Sequence, residues 1–248
     1  MTSQPLSGKS ALVTGGARRI GRGIALALAQ AGADVAITFR SSRADADKTV
    51  REIEDLGRSS LAVECDVRSE ASVRAAIAVT VSRFGRLDLV VNNAAVFESA
   101  SLESLTLDQW NAVFETNTRG PFLVAREALA HLRAVEGRIV NIGSLGGIHA
   151  WAGHAHYCAS KAALHSLTQA MAKAFAPEVS VNCVAPGWIQ LDGEDDESGS
   201  GLAAHFAAKT PMQRNGSVED VAHAVLFFAA GPHFVTGQIL VVDGGLGL

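Results

Sequence analysis

The sequence predicts a single doubly wound α/β domain on a seven-stranded parallel sheet. Three observations carry that expectation. Short apolar runs alternate with helix-length amphipathic stretches from end to end, the order that gives parallel pairing through right-handed crossovers. The strand-like runs are continuously apolar, as in a sheet covered on both faces. No internal repeat or linker divides the 248 residues, so one domain over 1–248 is expected.

The elements follow in order. Residues 11–14 (Ala-Leu-Val-Thr) read as a strand that runs into Gly15 and Gly16. A helix is expected over about 20–31 and a second strand over 35–39. A charged helix over about 45–56 leads to a third strand near 61–64. Another helix covers roughly 71–83, ahead of the buried run 87–91. Later strands are expected at 138–142, 179–184 and 238–242, and apolar helices at 122–132 and 162–175. Residues 1–7 are expected as a flexible tail. The stretch 192–201 is acidic and rich in Gly and Ser, too polar for the core. It follows Pro186-Gly187 at the carboxyl end of a strand, so a substrate lid is expected over about 188–210.

Composition excludes several classes. Hydrophobic residues make up 48% of the chain, which rules out a disordered protein. A net charge of −4 is opposite to the basic face of a nucleic-acid binder. No apolar run reaches the ~18 residues of a membrane span, and residues 1–7 lack the basic and apolar parts of a signal peptide. A cytoplasmic protein is expected. Cys65, Cys158 and Cys183 are scattered and read as small buried apolar residues. His149, His154 and His156 have no partner at zinc-ligand spacing. No metal is expected, and these histidines are read as lining a substrate mouth.

The turn Thr14-Gly15-Gly16-Ala17-Arg18-Arg19-Ile20-Gly21 lies where the first strand passes into the first helix. Glycine allows backbone to approach a pyrophosphate, and the helix amino terminus offers it N–H groups and partial positive charge. Gly15, Arg18, Arg19 and Ile20 are therefore candidate dinucleotide contacts. The second strand ends in Phe39-Arg40-Ser41-Ser42, without the carboxylate that would accept from the ribose of NAD. Arg40 can grip a 2′-phosphate with two donors and Ser41 can add a hydroxyl, so NADP(H) is the expected cofactor.

Tyr157, the one tyrosine in the chain, precedes Lys161 by four residues, which on a helix is one turn on the same face. An ammonium beside a phenol favours phenolate, so the Tyr157 pKa is expected to fall from about 10. Such a tyrosine exchanges a proton with a carbonyl or alcohol oxygen. Ser144 stands thirteen residues ahead of it.

In their order and spacing these landmarks resemble the short-chain dehydrogenase/reductase family, one-domain Rossmann enzymes, over about residues 8–245. The matches are the turn 14–21, Asp66-Val67, Asn92-Asn93-Ala94-Ala95, the set Asn117, Ser144, Tyr157 and Lys161, then Pro186-Gly187 and Val-Asp-Gly-Gly at 242–245. The resemblance implies that Tyr157 protonates the substrate oxygen and that Ser144 hydrogen-bonds it. Lys161 would bind the nicotinamide ribose, and Asn117 would hold a water linking Lys161 to solvent. Asp66 and Val67 would touch the adenine, and Asn93 and Ala94 would lie over the cofactor. Pro186, Gly187 and Ile189 complete the implied contacts, and a homotetramer is implied.

Three positions depart from the family pattern. Arg19 stands at the usual second glycine, as in pteridine reductases. Ala95 replaces a glycine, and Leu191 stands at a threonine that often meets the nicotinamide amide, a contact that backbone at Ile189 would replace. Ser144 favours ketone or β-ketoacyl carrier-protein reduction, since many pteridine-type members have aspartate there; pteridine reduction is the alternative, on the likeness of Arg19, Phe39-Arg40-Ser41 and Phe-Ala-Pro-Glu-Val at 175–179 to those members. A non-catalytic NADPH-binding regulator is the third reading.

Overall fold

A computed structural model describes residues 4–191 and 201–248. Its strands are β1 (Ser10–Val13), β2 (Asp34–Phe39), β3 (Ser60–Glu64), β4 (Leu89–Asn92), β5 (Arg138–Ile142), β6 (Ser180–Pro186) and β7 (Ile239–Val242). They form one parallel sheet in the order β3-β2-β1-β4-β5-β6-β7. Reversal of winding between β1 and β4 opens a crevice at their carboxyl ends, where ligands of such sheets bind.

The continuous apolar runs are explained by two cores. Successive side chains alternate faces. Val13, Val35, Ile37, Val91 and Val140 pack under α1 (Arg19–Gln30) and α8 (Val218–Ala230) with Ile24, Leu28, Val225 and Phe228. Leu12, Ala36, Val90, Ile139 and Val181 face the other way, against Ile77 of α3 (Glu70–Phe84) and Val124 and Leu132 of α5 (Gly120–Arg133). Between these helices lie α2 (Arg43–Asp55), α4 (Leu107–Phe114), α6 (Ala155–Phe175) and α7 (Leu202–Lys209). The starts of α4 and α8 are set by reciprocal capping, Thr106 with Gln109 and Ser217 with Asp220.

Of the expected tail, residues 1–3 lie outside the described residues. Leu6 is buried and its N–H donates to Ala31 O at 2.9 Å, because an apolar side chain there covers the end of α1. The acidic stretch 192–200 also lies outside the described residues. Among the described residues no helix is long and apolar enough to cross a membrane, and no group of three or more His, Cys, Asp or Glu could hold a metal ion.

A buried polar ladder ties the sheet to α6. Asn92 Nδ2 donates to Asn141 Oδ1 (2.9 Å), Asn141 Nδ2 to Thr168 Oγ1 (2.8 Å), and Thr168 Oγ1 to Leu164 O (2.8 Å). Asn141→Leu would strand the Asn92 amide in a dry interior. It is expected to cost roughly 2–3 kcal/mol in urea unfolding; a loss below about 0.5 kcal/mol would show that the ladder is dispensable.

Candidate active site

The carboxyl ends of the strands border a cleft of about 700 Å³. At one end the turn after β1 feeds α1. Gly15 has φ +64, a conformation that suits glycine, and a Cβ on Gly21 would stand 2.2 Å from Gly15 O. No side chain caps α1 and no acidic residue lies in its first turn, so its amino-terminal partial charge is not neutralised locally. Arg18, Arg19, Ile20, Arg40 and Ser41 line this end. Arg19 has φ +53, a left-handed backbone that glycine adopts more readily than arginine.

The turn is braced by β4. Thr14 Oγ1 accepts from the N–H groups of Asn93 and Ala94, each at 3.0 Å. Asn93 Nδ2 donates to Thr14 O (3.0 Å) and Gly15 O (3.1 Å). Asp66 and Val67 lie farther along the wall. The Arg68 guanidinium grips Asp66 at 2.6 Å and holds its carboxyl below the usual range.

At the other end lie Ser144, Tyr157 and Lys161. Ser144 follows β5 and starts a short turn, its Oγ accepting from Gly146 N at 3.0 Å. Tyr157 and Lys161 come from the first turns of α6. Burial pushes the Tyr157 phenol above its ordinary value, and the neighbouring Ser144 side chain opposes that shift. This corrects the expected fall in pKa. Lys161 Nζ is turned to Ile142 O (2.7 Å) and lies 5.8 Å from the phenol ring centroid, so burial of the phenol outweighs the neighbouring charge. Burial also lowers Lys161 itself to about 8.

Asn117 does not line the cleft. It lies in a π-helical turn, Glu115–Arg119, between α4 and α5 and is wholly buried. Its Oδ1 accepts from Val96 N (2.8 Å), while Nδ2 donates to Val96 O (2.9 Å) and Ser160 Oγ (3.1 Å). The side chain thus joins the loop after β4 to α6, with both polar atoms engaged. Pro186, Gly187, Ile189 and Leu191 close the cleft beyond β6. Residues 188 and 190 pair with Gly216, which leaves the backbone groups of Ile189 directed away from that pairing.

The expected mouth histidines separate. His154 stacks on Phe97, whereas His156 is fully buried on the same face of α6 as Ser160. That corrects the expectation for His156, which one helical step turns away from Tyr157. Sequence reasoning missed Phe97 and Trp151, which line the cleft, and His165 behind Ser144; Trp188, placed only as the start of the expected lid, lines the cleft as well. An aromatic directly after Pro186-Gly187 was the one available signal for Trp188.

His165 Nε2 accepts a long contact from Ser144 N (3.5 Å), which requires a neutral ring nitrogen. Burial, aided by the Lys161 charge, lowers its pKa to about 4. The unfolded chain binds this proton from about pH 6.5 downward, while the folded chain does so only near pH 4. The stabilisation is therefore present above pH 6.5 and lost as pH falls toward 4, by roughly 2–3 kcal/mol. Urea unfolding at pH 7 and pH 4.5 should show a steeper loss for the parent than for His165→Gln; identical losses would refute this.

A cleft at the winding reversal of a parallel sheet, with a glycine turn at one end and a Ser-Tyr-Lys cluster at the other, defines a Rossmann oxidoreductase of the nicotinamide-dependent class. The family model described as Enoyl-(Acyl carrier protein) reductase matches residues 15–247. The chain belongs to the short-chain dehydrogenase/reductase family. It is 38% identical over 241 residues to the 3-oxoacyl-[acyl-carrier-protein] reductase FabG of Staphylococcus aureus, covering 96% of this chain and 98% of that one. A short chain dehydrogenase from Burkholderia cenocepacia, solved in complex with NADP, is 40% identical with TM-score 0.91, covering 98% of this chain and all of that one. A dehydrogenase/reductase from Sinorhizobium meliloti is 38% identical with TM-score 0.91, covering 100% and 98%.

Proposed function

We propose that the chain is an NADPH-dependent carbonyl reductase acting on a ketone or β-ketoacyl thioester, including one carried by acyl carrier protein. The observation that carries this is that Tyr157, Ser144 and Lys161 line the same cleft as the glycine turn and Arg40. The site fits a phosphorylated dinucleotide: the Gly15–Gly21 turn has no room for a Cβ on Gly21, and Arg18, Arg19 and Arg40 line that end. Gly15, Arg18, Arg19 and Ile20 would hold the pyrophosphate, and Arg40 and Ser41 the 2′-phosphate. Asp66 and Val67 would flank the adenine. Asn93, Ala94, Pro186, Gly187 and Ile189 would line the path to the nicotinamide, and Lys161 would meet its ribose.

When bound, the nicotinamide supplies hydride to carbon. The chain's own task is the oxygen. Negative charge grows there, Ser144 donates to it, and Tyr157 gives it the proton. The raised phenol pKa suits this direction, because the acid stays loaded at neutral pH. Lys161, buried and cationic near pH 7, faces the developing phenolate. Asn117 positions α6, and with it Tyr157, through Ser160, whose Oγ donates to Tyr157 O at 2.7 Å.

Ser144 supplies a hydroxyl where pteridine reduction would use a carboxylate, and the S. aureus relative is named for 3-oxoacyl reduction. Turnover of acetoacetyl thioester is therefore expected to exceed that of dihydrobiopterin, both with NADPH; inactivity on the thioester would defeat the first choice. We also propose a homotetramer. Phe227 of α8, Phe234, and Leu240 and Val241 of the edge strand β7 are exposed apolar side chains of the kind that subunits cover. Residues 188–210 are proposed as the substrate lid.

A further inference from the structure

Two aromatic walls meet above Tyr157. Phe97 and Tyr157 meet with their rings perpendicular, at 4.8 Å between centroids and 88°. Trp151 lies nearly parallel to Tyr157, at 6.4 Å and 17°. His154 reports the same corner from outside: it is stacked on Phe97 (17°) and perpendicular to Trp151 (89°). The planes of Phe97 and Trp151 therefore stand close to a right angle.

Both walls are held in place before any substrate arrives. Phe97 has His154 against it at 4.8 Å, and His154 Nε2 is in turn 2.7 Å from Ser99 Oγ. Trp151 N donates to Cys158 Sγ at 3.4 Å, and a Cβ on Gly146 would come within 3.3 Å of its ring. Yet Phe97 remains 60% exposed. An ordered, half-wet phenyl beside a proton donor is a binding surface in waiting, because preorganised contacts cost little entropy when filled.

Charge is arranged to the same end. The arginines lining the cleft, Arg18, Arg19 and Arg40, belong to α1 and the tip of β2. Tyr157 has Lys161 on one side, 5.8 Å from its ring, and its ring contacts, Phe97 and Trp151, are uncharged, as are Val96, Trp188 and Leu191 of the cleft lining. A flat ring entering this corner can stack on one wall and meet the other edge-on, the two arrangements aromatic pairs prefer. A puckered saturated ring of the same carbon count can do neither.

We infer that the carbonyl substrate carries a flat aromatic ring beside its reacting carbon, and that Phe97 and Trp151 select it. The inference rests on the carbonyl-reductase reading, though not on the thioester. Its test compares 2-acetylnaphthalene with 2-acetyldecalin on the parent, Phe97→Leu and Trp151→Leu. Binding is measured by calorimetry on protein saturated with NADP⁺, which has no hydride to deliver. The parent should bind the flat ketone about tenfold tighter or better, and each substitution should cut that preference about threefold to tenfold. Equal binding of the two ketones by the parent, or a preference unchanged in both variants, would overturn the inference. Turnover with NADPH is read separately. Selective binding without turnover of any ketone would support the aromatic corner and defeat the reductase reading instead.

Discussion

Tyr157→Phe is expected to lower carbonyl turnover by about a hundredfold to ten-thousandfold, the range that a positioned general acid supplies. The substitution removes one oxygen. The ring would keep its contacts with Phe97 and Trp151, and Lys161 Nζ would keep Ile142 O. Cofactor affinity, read by fluorescence titration with NADPH, should therefore change far less than turnover. Ser144 alone would still donate to the substrate oxygen but could not complete its protonation without finding another proton source. Direction of reaction adds a second signature. Reduction needs the phenol and oxidation of the alcohol needs the phenolate, and burial favours the phenol. In the parent, alcohol oxidation should climb with pH more steeply than ketone reduction falls. Turnover by Tyr157→Phe within tenfold of the parent would remove this residue from the chemistry.

Arg40→Asp should reverse the choice of cofactor. β2 ends at Phe39, and Arg40 follows it, exposed at the rim of the cleft. The neighbouring carboxylate, Asp66, is occupied by Arg68. A phosphate at the ribose would thus meet a cation and no competing free acid. A charge-assisted contact is worth about 1.5–3 kcal/mol, or about 10–150-fold. Replacing it with a carboxylate adds repulsion, so kcat/KM with NADPH should fall by about a hundredfold or more, while that with NADH rises as the new acid accepts from ribose hydroxyls. Unchanged Michaelis constants for both cofactors would defeat the assignment of Arg40.

Much of this molecule is readable along the chain because its signals are local. The apolar runs of β1, β2 and β5 stand within a residue or so of where they were expected. The glycine turn is a contiguous motif, and Tyr157 and Lys161 are one helical turn apart. The capped starts of α4 and α8 were also written locally, in Thr106-x-x-Gln109 and Ser217-x-x-Asp220, though the hydrophobic pattern alone did not reveal them. What escaped was set by distance in three dimensions. His156 looked like a neighbour of Tyr157, yet the helical step sends it into the core.

The succession of strands and helices along the chain and the glycine turn after β1 were inherent in the residue sequence, since each depends on periodicity or on groups a few positions apart. The sign of the Tyr157 shift and the aromatic corner were not. Desolvation depends on everything packed around a group, and Phe97, Trp151 and His165 converge on Ser144 and Tyr157 only after β4, β5 and α6 have been laid side by side.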